Sequence, residues 1–541
     1  MKEISKIIIL SALLFVVQAC KKDFLERPPV DTLTDGVFYK TESEILAATA
    51  PLYNIVWFDY NDKAALAIGD ARGGNMVSND RSAFYKFNVS STDQTTLLPA
   101  YKAFYKIIGQ SNLIIQNINR YALNAPEAAK KAGIAEAKFM RALAYYYLVM
   151  NWGEIPVIYN NSIQLSDKNI RRNTKESIWA FIIRDLRYSA ENLPPVQSQQ
   201  GRLTKYSAEG MLAKMYLTRS GLGRTKGNRN QSDLDSARIY SADVIKNSGC
   251  ELLPNYGDLF KSANNNSSKN NKESLFALQW MNASEPWGIN NSFQAYMAFS
   301  PDITGTGDGW GTAHGASANL IKYFVTEHPE DSVRRKETFM FPEDLYAELN
   351  KKAGGTRFTK TDVANVKKYI IGTPDDNGGK GLFMTAYINT YMLRLAEVYL
   401  IYAEAILGNS TTTNNSEALN YYNQVRARAK MPVKSQISFT DIFWEKRIET
   451  LMEGTAWYEI VRWYYFDKTG ALEYISKQDK GSYTINYNHG TQPRSYTATY
   501  NSEYYSATNK NFELPIPELE MANAPSLRLD PVPFDLNKLS D

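Results

Sequence analysis

The chain has 541 residues, a formal net charge of +4 and an unusual 13 per cent of aromatic residues, among them 36 Tyr and 9 Trp. Charges of both signs are spread along it, with no basic stripe of the kind that nucleic acid requires. Only Cys20 and Cys250 are present, so a disulfide framework is excluded and the fold must rest on a large core.

In chain order, Met1 to Lys6 is a short polar start carrying Lys2 and Lys6, and Ile7 to Val17 is a largely apolar run closed by Val17-Gln18-Ala19-Cys20. A charged start, an apolar core and a small residue before the cut make residues 1–19 a secretory signal peptide. The run falls well short of the roughly 20 residues that span a bilayer. A thiol directly after Ala19 is the acceptor position of bacterial lipoproteins, so Cys20 is the expected lipidation site. More than one acyl chain there gives stable anchoring. Residues 20–40, with Pro28, Pro29 and Gly36, read as an extended tether, and 41–541 as a single domain.

Helical patterning then recurs in pairs: 112–120 with 134–151, 175–192 with 207–220, a further helix at 233–247, and 391–407 with 416–430. A last helical stretch at 439–465 is expected to break near Gly454. In 391–407 apolar and small residues cover most of the circumference, while Arg394, Glu397 and Glu404 fall on one stripe. Paired helices with small and aromatic positions are similar to tetratricopeptide units. The expected class is therefore mainly α, a frame of such pairs with long loop-rich insertions and minor β structure.

The insertions carry the unusual chemistry. They cover about 60–100, 261–390 and 470–510, rich in Gly, Asn, Ser and aromatics, and the alternation in 481–507 fits a small β-hairpin or a long polar loop. Trp287 in Pro286-Trp287-Gly288 and Trp310 in Gly309-Trp310-Gly311 are large rings in polar, glycine-flanked stretches. Such rings stack on the apolar faces of sugars, with Asn, Asp and Arg meeting the hydroxyls. The loop Gly69 to Asn75, followed by Arg81 to Tyr85, adds Asp70, Arg72 and Tyr85 as ligand-binding candidates by composition and place.

Catalytic patterns are lacking. His314, His328 and His489 stand in no triad-like or ligand spacing, and Cys250 has no activating neighbour. The acidic residues Glu397, Glu404, Glu449, Glu453 and Glu459 alternate with Arg394, Arg426, Arg428, Arg447 and Arg462, which reads as an ion-pair network between helices and not a glycosidase pair. Asp302 to Asp308 and Asp375 to Gly379 are Asx-rich turns without EF-hand spacing. No enzyme activity, metal or cofactor is expected.

Several landmarks occur together in a fixed order. They include Cys20-Lys21-Lys22-Asp23-Phe24-Leu25, Glu136 to Ala142 followed by Trp152-Gly153-Glu154-Ile155-Pro156, Leu393-Arg394-Leu395-Ala396-Glu397, Asn423-Gln424-Val425-Arg426, and Glu453-Gly454 with Trp457 to Trp463. On these the chain resembles the SusD/RagB family of outer-membrane nutrient-binding lipoproteins. The resemblance implies a SusD-like fold of four helix pairs with a loop-rich ligand face, and an oligosaccharide or polysaccharide ligand. It also implies a SusC-like TonB-dependent transporter as partner, and an outer-membrane location facing the cell exterior. The other reading is a helical-repeat scaffold for peptides or proteins; the aromatic loops favour the glycan.

Overall fold

The computed structural model describes residues 38–164, 167–267, 271–283, 285–491 and 493–539. The expected signal peptide, Cys20 and nearly all of the tether lie outside them. The chain is mainly helical, 52% helix and 9% strand, and among the described residues no helix is long and apolar enough to cross a membrane.

The helices begin where the sequence supplies caps. The first, α1 (Glu42–Thr49), is opened by a reciprocal capping box between Thr41 and Glu44. In α2 (Leu97–Tyr121) the orphan amides of the first turn are met by Asp93, whose carboxylate accepts from Thr95, Thr96 and Leu97. α3 (Glu127–Trp152) stops at Gly153, at φ +68, where an added Cβ would meet Glu513 at 2.6 Å. α4 (Lys175–Asn192), α5 (Lys205–Arg219) and α6 (Gln231–Asn247) follow, the last two capped by Thr204 and Asn230. After a long excursion come α7 (Leu395–Leu407), α8 (Ser416–Arg428), α9 (Phe439–Glu449), α10 (Ala456–Phe466) and α11 (Lys468–Ser476).

From α2 to α6 each helix packs on its chain neighbours, and α7 docks directly onto α6, so the array closes in space over residues 248–394. Ion pairs stitch it: Arg141 grips Asp185 with two bonds of 2.7 and 2.9 Å, joining α3 to α4. Lys214–Glu397 (2.8 Å) joins α5 to α7, and Arg462–Glu404 (2.5 Å) joins α10 to α7.

One expected helix is corrected at its start. Residues 390–394 are a strand, antiparallel to Ser274–Leu278, and the helix begins only at Leu395. The local pattern is helical throughout, but pairing with Ser274–Leu278 captures the first turn. The stretches expected at 112–120 and 134–151 are parts of the longer helices Leu97–Tyr121 and Glu127–Trp152, while the break at Gly454 agrees and a hairpin pairs Ser482–Tyr487 with Tyr496–Asn501.

Two large apolar cores result, with a small third cluster of Leu253, Tyr256, Leu259, Phe260, Ala277 and Tyr391. The larger runs through the helical array. The second lies under the loops and is built from Phe293, Met297, Phe339, Phe341, Ile388 and their neighbours, reaching the array through Ile448, Leu451 and Met452 of α9 and the turn after it. The insertions are thus packed structure and not surface irregularity. At the join sits Arg394, wholly buried, bonded to Glu273 (2.8 Å), Glu449 (2.9 Å) and Glu453 (2.7 Å). Lys368 adds a bond to Glu453 at 3.0 Å, and Arg428 bonds Glu273 and Glu449. Burial alone would disfavour these charges, yet the cations beside Glu449 and Glu453 hold both carboxyls below the usual carboxylate range.

Candidate glycan-binding face

The face is assembled by close backbone approaches that glycine alone permits. Gly288, at φ +97, lets the Trp287 loop lie over the helix Phe58–Lys63; a Cβ there would already touch Ile55 and Phe58 at 3.4 Å. The Trp287 ring meets Phe58 edge to face, centroids 5.6 Å apart. Around Trp310 the constraint is sharper. Added Cβ atoms at Gly309 and Gly311 would fall 2.6 Å from the Ser300 backbone and 2.3 Å from the Met297 carbonyl oxygen. The segment is pinned there by Trp310 N–H donating to the Ala295 carbonyl and Gly311 N–H to that of Ala298. Its ring then stands between Tyr296 (5.9 Å) and Phe383 (6.0 Å, interplanar angle 81°).

Both tryptophans remain open to solvent, Trp287 46% and Trp310 44% exposed, with Phe383 at 55%. A series of polar bonds ties the two ring sites together. Asp62, in the helix under Trp287, accepts from Ser292 N–H at 2.7 Å, and the Ser292 hydroxyl donates to the Met384 carbonyl at 3.0 Å. Met384 N–H donates to Asp308 at 2.6 Å, two residues before Trp310. Burial pushes the Asp62 carboxyl up to about 7.

Beside Trp310 stands a polar cluster. His314 Nδ1 lies 2.8 Å from the Tyr296 carbonyl, to which it can only donate, so Nε2 of the neutral ring accepts from Arg81 Nη1 at 2.8 Å. Arg81 also pairs with Asp80 at 2.9 Å. Partial burial works against the Asp80 carboxylate, but the Arg81 charge and the Ser78 hydroxyl, which donates to it, hold it well below the usual range. Its side chain is 60% exposed, an ionised acceptor at the edge of the aromatic surface.

The other candidates fall elsewhere. Asp70 and Arg72 are corrected: neither faces solvent. The stretch Leu66–Ala71 winds into a wide helical turn whose Gly69 lies against Gly454, where a Cβ would meet the carbonyl oxygen at 2.2 Å. Asp70, 0% exposed, accepts there from Asn75 Nδ2 and from the amides of Met452 and Gly454. Arg72 lies over the Trp457 ring at 3.8 Å and donates to Asn151 and to the Asn511 carbonyl. Tyr85 is also buried, its ring 6.2 Å from that of Tyr505, and it lines a cavity beside the hairpin instead of the tryptophan surface.

The residues that sequence reasoning missed are Phe58, Tyr296, Phe383, Asp80 and His314. Their meeting depends on contacts between segments hundreds of residues apart, which no local pattern announces. The acidic turns have structural partners: Asp308 also accepts from Thr306, and Asp376 from the amides of Asn350 and Lys351. Among the described residues no group of three or more His, Cys, Asp or Glu is arranged to hold a metal ion.

A helical array bearing an open aromatic and polar face defines a binding protein. The chain belongs to the SusD family: the family pattern matches residues 272–531, and a second, described as starch-binding associating with outer membrane, matches 47–217. It is 37% identical to a SusD-like protein of Bacteroides ovatus over 99% of both chains. It is 24% identical to the starch-binding protein SusD of Bacteroides thetaiotaomicron over 61% of this chain and 63% of that one. Among solved structures, one determined with xylogluco-oligosaccharide is 37% identical, with a TM-score of 0.83 over 91% of this chain and 99% of the other. Another, a laminarin-binding SusD-like protein, shares the fold at 22% identity and a TM-score of 0.66, over 90% of this chain and 98% of the other.

Proposed function

We propose that the protein captures oligosaccharides at the outer membrane, anchored by lipid at Cys20 and facing outward, and delivers them to a SusC-like TonB-dependent transporter without cleaving them. The observation that carries the ligand class is the pair of half-exposed rings, Trp287 and Trp310, each propped by a second aromatic, with the ionised Asp80 in the polar cluster beside Trp310. Sugar rings stack on such planes while their hydroxyls reach Asp80. The likeness to a structure determined with xylogluco-oligosaccharide, at 37% identity, favours a β-glucan backbone with branches as ligand.

The paired carboxylates that glycan cleavage requires are not found at this face in Glu449 and Glu453. Glu449 and Glu453 are buried and clamped by Arg394, away from the face. Calorimetric titration of the mature protein with xyloglucan oligosaccharides should give saturable binding and release no reducing ends. Heat traces indistinguishable from buffer across xyloglucan, laminarin and starch oligosaccharides would refute the reading, and saturable binding of an extended peptide instead would favour the scaffold alternative.

A further inference from the structure

A cavity of about 660 Å³ opens near the aromatic face, between the hairpin Ser482–Tyr487/Tyr496–Asn501 and the Val77–Asn79 segment. Its lining includes Thr312, two residues along from Trp310, and Ser78, two residues before Asp80. A ligand lying on Trp310 therefore has the cavity mouth within reach of its next substituent.

Lys480, at the cavity wall, is only 4% exposed. Its amino group donates to the Tyr85 carbonyl at 3.0 Å and sits 4.3 Å from the centre of the Phe87 ring. Among the described residues no carboxylate pairs with it, in contrast to the buried Lys214, Lys367, Lys368 and Lys446, each of which meets a glutamate. An ammonium has three donors, and a buried one left short of partners is costly. Burial, and to a lesser degree the Arg447 charge, lower its pKa to about 7.

The wall around Lys480 is braced. Asp479 accepts from the amides of Gly481 and Glu503 and pairs with Lys322, and the Lys480 amide donates to the Glu503 carbonyl. The Tyr483 hydroxyl donates to the Ala316 carbonyl. The lining also carries the Ser482 hydroxyl and the Asp362 and Glu503 carboxylates, beside the apolar Val77, Ala313 and Val363. Two carboxylates against one lysine disfavour an anionic guest. A donor beside acceptors suits adjacent hydroxyls, each of which gives one hydrogen bond and takes another.

We propose that this cavity is a second sugar subsite, which takes a branch residue of the oligosaccharide lying on the Trp310 surface and holds it through Lys480, Asp362 and Glu503. The proposal rests on the glycan-binding reading above. The chain that provides the backbone stacks on the aromatic rings, and the pendant sugar turns past Thr312 into the cavity. Branch recognition is thereby separated from backbone recognition.

The test compares two probes of equal backbone length, a xylose-branched gluco-oligosaccharide and an unbranched cello-oligosaccharide, titrated by calorimetry. Lys480→Met should weaken the branched probe about tenfold or more, the worth of a lost hydrogen bond to a charged donor, and leave the unbranched probe unchanged. Asp362→Ala, at an exposed rim position, should act in the same direction without touching the core, and serves if Lys480→Met fails to fold. Trp310→Ala should weaken both probes. Variants at Lys480 and Asp362 that bind both probes as wild type does would overturn the subsite while leaving the aromatic face intact. A branch-selective loss at Lys480 with no loss at Trp310 would sustain the subsite and refute the aromatic platform. Wild-type protein that binds neither probe would overturn both.

Discussion

Trp310→Ala removes the ring held between Tyr296 and Phe383, and the structure separates its effect on binding from its effect on stability. Trp310 is 44% exposed, so a little over half of its surface is covered. A tryptophan buries up to about 250 Å²; half of that at about 25 cal/mol per Å² gives roughly 3 kcal/mol as an upper bound on the folding cost. In a chain of this size, about 2 °C or less of melting temperature accompanies each kcal/mol, so the midpoint should fall by no more than about 6 °C. The exposed half is what a sugar would stack on. Truncating such an aromatic anchor costs about 2 kcal/mol or more, close to 30-fold in affinity. Calorimetric titration with a xyloglucan oligosaccharide, paired with a thermal scan, reads both numbers. Trp457→Ala is the contrasting variant: that ring is 0% exposed beneath Arg72, and its loss should cost about 3–5 kcal/mol of stability. Trp310→Ala protein that keeps wild-type affinity would refute the platform, however its melting temperature moves.

Other perturbations reach different parts of the molecule. Arg394→Met leaves Glu273, Glu449 and Glu453 buried with fewer counter-charges and should destabilise by about 3–5 kcal/mol in urea unfolding; an unchanged midpoint would mean the cluster is dispensable. Asp62 has its folded pKa raised from 3.8 to about 7 by burial. Its contribution is therefore fully present below about pH 4 and lost as pH rises toward 7, to a few kcal/mol at most. Asp62→Asn should thus gain in melting temperature relative to wild type between pH 4 and pH 8, and a pH-independent difference would contradict the assignment. Cys20→Ala should move the protein out of the outer-membrane fraction on cell fractionation, and retention there would point to another anchor. Tagged wild-type protein extracted in detergent should bring down a large β-barrel; repeated isolation without one would count against a transporter partner.

The helical array was largely legible because its signals are local. The 175–192 helix agrees residue for residue, and the break at Gly454 follows from a glycine at φ +72 that faces the Ala65 carbonyl. The exception at 391–394 arose where a distant strand outcompeted helical patterning. Trp287 and Trp310 were singled out by their glycine neighbours, and at Trp310 the structure shows why glycine is needed: a Cβ at Gly309 or Gly311 would strike backbone. The same cue misled at Gly69–Asn75, because glycines at a buried seam look no different in sequence from glycines in an exposed loop. Asp70 accordingly serves the turn at Met452–Gly454 and Arg72 serves Trp457. The partnership of Arg81 and His314, 233 positions apart, has no local trace.

The excursion at 248–394 leaves from α6 and returns to α7, two helices that pack against each other. Its ends are therefore held near one another by the array, whatever lies between them. The entropy of closing such a loop grows only with the logarithm of its length, so doubling it adds about 0.6 kcal/mol. Away from Glu273, Lys368 and the apolar residues that share a core with α9, the insert can lengthen or shorten at its exposed turns with little consequence for the helices that carry it. A ligand face attached through adjoining ends is one that a lineage can exchange without rebuilding the scaffold beneath it.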